Sequence, residues 1–117
     1  TAIGKVLLAW LDEEELAAVL EGYQFNGFTP ATLTDRASLL AALKETRHNQ
    51  YAMDNEENEP GVRCVAVPVW NHESRVIAAL SLSTLTSRVN DAELAAWRQK
   101  LMDAGLGLSI TLGYRQP

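Results

Sequence analysis

Cys64 is the one cysteine of the chain, and His48 and His72 are its two histidines. A thiolate nucleophile needs a base or a positive field beside it, so these three are the first residues to weigh. No nucleophile motif surrounds Cys64, and the chain places His72 in a turn at the far end of a strand from it. A lone buried cysteine ordinarily behaves as a small hydrophobe, so no catalytic residue is assigned. The acidic stretch Asp54 to Glu59 resembles a calcium loop only in charge, because it lacks the glycine and the bidentate glutamate at the required spacing. The run Asp12 to Glu15 suits a helix's first turn, where carboxylates meet the positive end of the dipole. One thiol cannot build a thiolate cluster, and neither a metal site nor a cofactor is expected.

What remains is a set of small polar groups. Ser81 and Ser83 stand at alternate positions of an apolar run, Cys64 lies in the run before it, and Asp54 precedes both. Alternate residues of a strand share one face, so their common position depends on the hairpin that carries them. Val62 to Val69 and Arg75 to Ser83 are rich in β-branched and small residues and are bounded by Pro60-Gly61 and by Asn71 to Ser74, which predicts a β-hairpin. A loop centred between His72 and Glu73 would set Val69 against Val76, Val67 against Ala78, Cys64 against Ser81 and Val62 against Ser83. One face then carries Val62, Cys64, Ser81 and Ser83. Such serines can serve a ligand, bond to backbone or face water.

Helices frame the hairpin. Ile3, Val6, Leu7 and Trp10 recur at helical spacing over residues 1 to 10, with small Ala2 and Gly4 beside them to admit a close neighbour. Asp12 and Glu15 form a capping-box pair that opens a second helix, whose predicted buried stripe is Leu16, Val19, Leu20 and Tyr23. Gly22, Asn26-Gly27 and Pro30 make residues 22 to 34 a loop, anchored by Phe25 and Phe28. Leu39, Leu40 and Leu43 mark a third helix over 35 to 48, ending in Lys44, Arg47 and His48, charges that suit a C-terminus and read as solvated. Asn90 with Glu93 caps a last helix with a stripe of Leu94, Trp97, Leu101, Ala104, Leu108 and Leu112, in which Gly105 and Gly107 suggest a kink or close packing.

With 117 residues there is material for one domain. A net charge of −5 argues against nucleic-acid binding by these residues, since phosphate contact needs a basic face. The apolar runs are too short to span a bilayer, and the single cysteine suits a reducing, cytoplasmic setting. The opening Thr1, leading straight into a helical pattern, suggests a piece of something longer.

The order of several short stretches is more specific than any one of them. Thr1-Ala-Ile-Gly-Lys-Val-Leu-Leu-Ala9, the threonines Thr29, Thr32 and Thr34, Tyr51 to Glu57, Gly61 to Pro68 and Val76 to Ser83 together resemble the effector domain of IclR-type bacterial transcription regulators. The resemblance implies an α+β, GAF-like antiparallel sheet flanked by helices, incomplete at its N-terminal side. A winged helix-turn-helix and the domain's first strands would lie outside residues 1 to 117. It also implies a small-molecule sensor and not an enzyme, controlling operator binding by the separate DNA-binding domain as a homodimer or homotetramer. The expected effector is a small carboxylate, a sugar acid or keto acid, and the implied contacts are Ala2, Ile3, Asp54, Cys64, Ser81 and Ser83. Ala2 and Ile3 are bulkier than the Gly-Ala of some relatives, which would change the pocket's size. Two other functions stay open: a structural dimerisation module without a ligand, and a small hydrolase using Cys64.

Overall fold

The computed structural model describes residues 1–117. Four helices flank a three-stranded antiparallel sheet, in the order α1 (Ala2–Ala9), α2 (Glu13–Leu20), α3 (Arg36–Asn49), β1 (Ala52–Asn55), β2 (Val62–Trp70), β3 (Val76–Leu85) and α4 (Asp91–Thr111). The strands lie side by side as β1-β2-β3, leaving β1 and β3 as edges. The α+β class and the antiparallel sheet match the expectation.

The helix starts follow from local chemistry. Asp12, Asp35 and Asn90 each accept a hydrogen bond from the backbone N–H three residues on, at 2.7, 2.7 and 2.8 Å. Asn90 and Glu93 complete both halves of a capping box, which satisfies two donors that a helix start would leave bare. The backbone N–H of Ser38 and its hydroxyl hold the Asp35 carboxyl below its ordinary value. A lowered carboxyl contributes stability that is complete above the ordinary pKa of about 4 and fades as pH falls toward the lowered one. Asp35→Asn keeps the acceptor but not the titration. The melting-temperature gap between parent and Asp35→Asn should therefore narrow from pH 5 downward, and a gap that stays constant in a pH series would refute this account of the cap.

The two sheet faces carry different partners. α1 lies on the face of Ala52 and Ala66, where Ala2 and Val6 bury their side chains and the half-buried Cys64 and Ala79 pack alongside. On the opposite face Val65, Val89 and Leu94 form a second cluster with Met53, Leu82 and Leu101 around it. α3 then packs on α1. There Arg47, expected as a solvated charge, donates from Nη1 to the Ala9 carbonyl at 2.8 Å. It satisfies an orphan acceptor at the end of α1.

Four expectations are corrected. The hairpin register is offset by two from the predicted one: Cys64 pairs with Ser83, Ala66 with Ser81 and Val62 with Leu85. The cause is a bulge between Val69 and Trp70 and an Asn71–Arg75 turn, in which Asn71 Oδ1 accepts from the N–H groups of Glu73 and Arg75. An even offset conserves the face, so Val62, Cys64, Ser81 and Ser83 still share one side.

The stripes of α2 and α4 also differ. Of the α2 set, Leu20 is buried and Leu16 half-buried, while Val19 and Tyr23 are exposed, because α2 touches the body with one narrow edge. Phe28 is exposed as well, and Phe25 is half-buried with its ring edge-on to Tyr23 at 4.9 Å. α4 runs unbroken through both glycines. Its buried residues are Leu94, Gly105 and Ser109, whereas Trp97, Ala104, Leu108 and Leu112 are exposed. Small residues set the buried side because the helix lies close against β2.

Candidate functional site

Asp54, Cys64 and Ser83 form one row across the three strands, since Asp54 pairs with Cys64 and Cys64 with Ser83. Asp54 belongs to a strand of its own, β1, and does not merely precede the hairpin. Its side is buried at 3% exposure, with Oδ1 accepting from the Glu57 N–H at 2.8 Å. Cys64 Sγ lies 3.1 Å from Ser83 Oγ. Ser81 stands two residues along β3, opposite Ala66, and both serines are exposed. The row therefore grades from a buried acid to open hydroxyls on an edge strand, and forms a shelf.

The start of α1 overhangs the same face. Thr1 Oγ1 accepts from the Gly4 N–H at 3.0 Å and Thr1 O from the Lys5 N–H at 3.0 Å. That leaves the N–H groups of Ala2 and Ile3 as the first-turn donors without an intrahelical partner. The Ala2 methyl is packed into the core and Ile3 is 40% exposed, so Ala2 can offer backbone alone. Neither histidine stands beside Cys64. His72 sits in the Asn71–Arg75 turn with Nε2 3.5 Å from Glu73, and His48 is exposed on α3.

A second group of residues escaped the sequence reading. Lys5, 9% exposed, donates from Nζ to the Met53 carbonyl at 2.6 Å and lies 2.7 Å from Glu57 Oε1. Glu57 Oε2 in turn accepts from the Asn55 N–H at 3.0 Å. Thr29 and Thr32 donate their hydroxyls to the carbonyls of Glu56 and Glu57 respectively. The turn that carries Asp54 is thus held by α1 on one side and by the loop before α3 on another. The sequence signal was the threonine series and Gly4-Lys5, which spacing alone does not connect to Glu57.

A cavity of about 260 Å³ opens on a different side of α1, lined among others by Thr1, Lys5, Leu20, Phe28, Thr32 and Glu57. None of the six expected contacts lines it. No helix is long and apolar enough to cross a membrane.

The profile described as bacterial transcriptional regulator IclR C-terminal matches residues 1–110. The chain is 72% identical over 114 residues to the HTH-type transcriptional regulator XynR of Escherichia coli K12, a match covering 97% of this chain and 45% of that protein. It is 43% identical to the regulator KdgR of the same organism, over 97% of this chain and 43% of that protein. The crystal structure of the C-terminal domain of E. coli KdgR superposes with a TM-score of 0.91, covering 97% of this chain and 70% of that one. A double mutant of the PobR inducer-binding domain from Acinetobacter, in complex with 3-hydroxybenzoic acid, superposes at 0.84 with 35% identity, over 97% of this chain and 63% of that one. The chain spans less than half the length of the full regulators it matches.

Proposed function

The chain belongs to the IclR C-terminal family, and from that premise we propose that it is the effector-binding domain of a longer bacterial transcription regulator, taking a small carboxylate as its signal. The observation that carries this reading is the row Asp54–Cys64–Ser83, in register beneath the start of α1. First-turn amides of Ala2 and Ile3 suit a carboxylate, while Asp54, Ser81 and Ser83 suit the hydroxyl or keto oxygens of a sugar acid or keto acid. The PobR domain was crystallised with an aromatic acid, which favours the same chemical class. In the proposed protein a winged helix-turn-helix and further strands lie outside residues 1–117, and the acid biases two states of a homodimer or homotetramer that differ in operator affinity. The acidic balance of this domain leaves DNA contact to the other one, in a cytoplasmic regulator.

The test is a thermal-shift and calorimetric screen of aldonic, keto and aromatic acids. A one-site ligand at a hundredfold excess over its Kd adds about 2.7 kcal/mol, which for a domain of this size raises the midpoint by roughly 10 °C. The acid should be recovered unchanged. Asp54→Ala and Ser81→Ala should each weaken binding by about 1–3 kcal/mol where the hydrogen bond to ligand is buried, and variants binding as tightly as the parent would move the site elsewhere.

One observation favours a second reading, a structural assembly module. The serine shelf is open, and Leu82, Trp97, Leu101 and Ala104 form a continuous apolar surface between α4 and β3. If no acid shifts the melt of the full-length protein, that reading replaces the sensor.

A further inference from the structure

We propose that Thr29 and Thr32 are positioning residues for Asp54, the buried acid of the candidate ligand site, and act on it through the turn from Asp54 to Glu57. The inference rests on the ligand-binding reading above and adds to it the loop between α2 and α3. The turn needs outside support, because Glu56 has a positive φ of 58°, a left-handed conformation uncommon outside glycine. One side of the support comes from β2, where Val62 O accepts from the Glu56 N–H at 3.1 Å and Glu56 Oε1 accepts from the Gly61 N–H at 2.8 Å. The other side is the loop. The successive carbonyls of Glu56 and Glu57 each receive a threonine hydroxyl, from Thr29 and from Thr32.

The hydroxyls are the donors in these two bonds, because a carbonyl oxygen can only accept. Thr32 Oγ1 accepts from the N–H groups of Phe28 and Thr29 at 3.1 and 2.9 Å, and Thr29 Oγ1 from that of Ala31 at 3.1 Å. The two hydroxyl oxygens also lie 3.4 Å apart, so the threonines and the loop backbone form one network around the two carbonyls. Glu57 then passes the constraint on. Its carbonyl is held by Thr32, and its N–H donates to Asp54 Oδ1. Asp54 Oδ1 is committed to the turn, so Oδ2 is the oxygen left for a ligand, and where it lies relative to Cys64 and Ser83 depends on the turn's conformation. Loop residues with no place on the sheet thereby set the geometry of a sheet residue.

The test is calorimetry on the full-length protein with five- and six-carbon aldonic acids, pyruvate and benzoate, followed by a mutant cycle using whichever acid binds. Thr32→Val removes the hydroxyl at nearly constant volume and should weaken binding about tenfold, while Thr32→Ser restores the hydroxyl and stays within about twofold of the parent. The decisive arm is coupling. In an Asp54→Asn background Thr32→Val should change the Kd by less than about twofold, whereas in a Ser81→Ala background, where the turn is untouched, it should keep its tenfold penalty. Thr29→Val, which removes the neighbouring bond, takes the place of Thr32→Val if the latter does not fold. Equal penalties in all backgrounds, or folded valine variants that bind like the parent, overturn the positioning role while the ligand site stands. A parent that binds none of these acids overturns both.

Discussion

Gly105→Val should lose about 3 kcal/mol or more of stability, near the upper end of what overpacking a core costs, whereas Gly107→Ala, two residues along the same helix, should gain about 0.5–1 kcal/mol. The contrast follows from what a side chain would meet. A Cβ at Gly105 would lie 2.8 Å from Val67 Cγ2 and 3.3 Å from the Pro68 carbonyl oxygen, while one at Gly107 meets nothing within 4 Å. Val67 is 2% exposed and sits in the central strand, so it has no free direction in which to yield. The separation of α4 from β2 is fixed a second time at Ser109, fully buried, whose Oγ accepts from the Trp70 N–H at 2.9 Å and donates to the Gly105 carbonyl at 2.7 Å. Moving the helix outward to admit valine would break that bond and leave a buried donor unpaired, at a further cost of about 1–3 kcal/mol. Gly107 is exposed, so alanine there changes helix propensity alone. Urea unfolding of the two variants decides it, and a Gly105→Val midpoint close to the parent's would mean that α4 does not lie on β2 as described.

That close approach also explains what the sequence could and could not tell. Caps at Asp12 and Asn90 were legible because each bond closes within three residues, and the third helix was placed from about Asp35, where the structure shows the same kind of cap. The shared face of Cys64, Ser81 and Ser83 was legible because strand parity survives an even offset. The register itself was not, since the bulge at Val69–Trp70 adds a residue that no turn signal announces. From its residues alone β1 was not legible, because Ala52 to Asn55 is short and has neither β-branched residues nor clean alternation; the resemblance implied a strand at Tyr51 but set Asp54 after it, whereas Asp54 lies within β1. The apolar stripe of α4 misled for the opposite reason: Trp97 and Leu108 look like core residues, but contact distance was set by Gly105 and Ser109, whose small size is itself the packing signal. At the candidate site the sheet residues came from resemblance and strand parity, whereas Lys5, Glu57, Thr29 and Thr32 are joined by tertiary contacts across tens of residues.

Lys5 is where such a contact should have its largest consequence. Lys5→Met keeps most of the aliphatic stem but removes the ammonium group, and it should destabilise the chain by about 3 kcal/mol, the cost of leaving a buried partner charge uncompensated. The side chains of Lys5 and Glu57 are 10% and 13% exposed, so water cannot replace the lost group as it would at a surface pair. The Met53 carbonyl loses a charged donor in the same step. Adding Glu57→Gln should then recover most of the loss, because the amide is neutral and can still accept from the Asn55 N–H that Glu57 Oε2 now holds. The expected signature is strong non-additivity: Lys5→Met severe, the double variant mild, with a coupling of roughly 1–3 kcal/mol between contacting residues. Equilibrium unfolding of both single variants and the double variant measures it. A Lys5→Met penalty below about 1 kcal/mol, the range of exposed pairs, or simple additivity in the double variant, would show that α1 is held to the Asp54 turn by packing of Ala2 and Val6 on the sheet, and not by this ion pair.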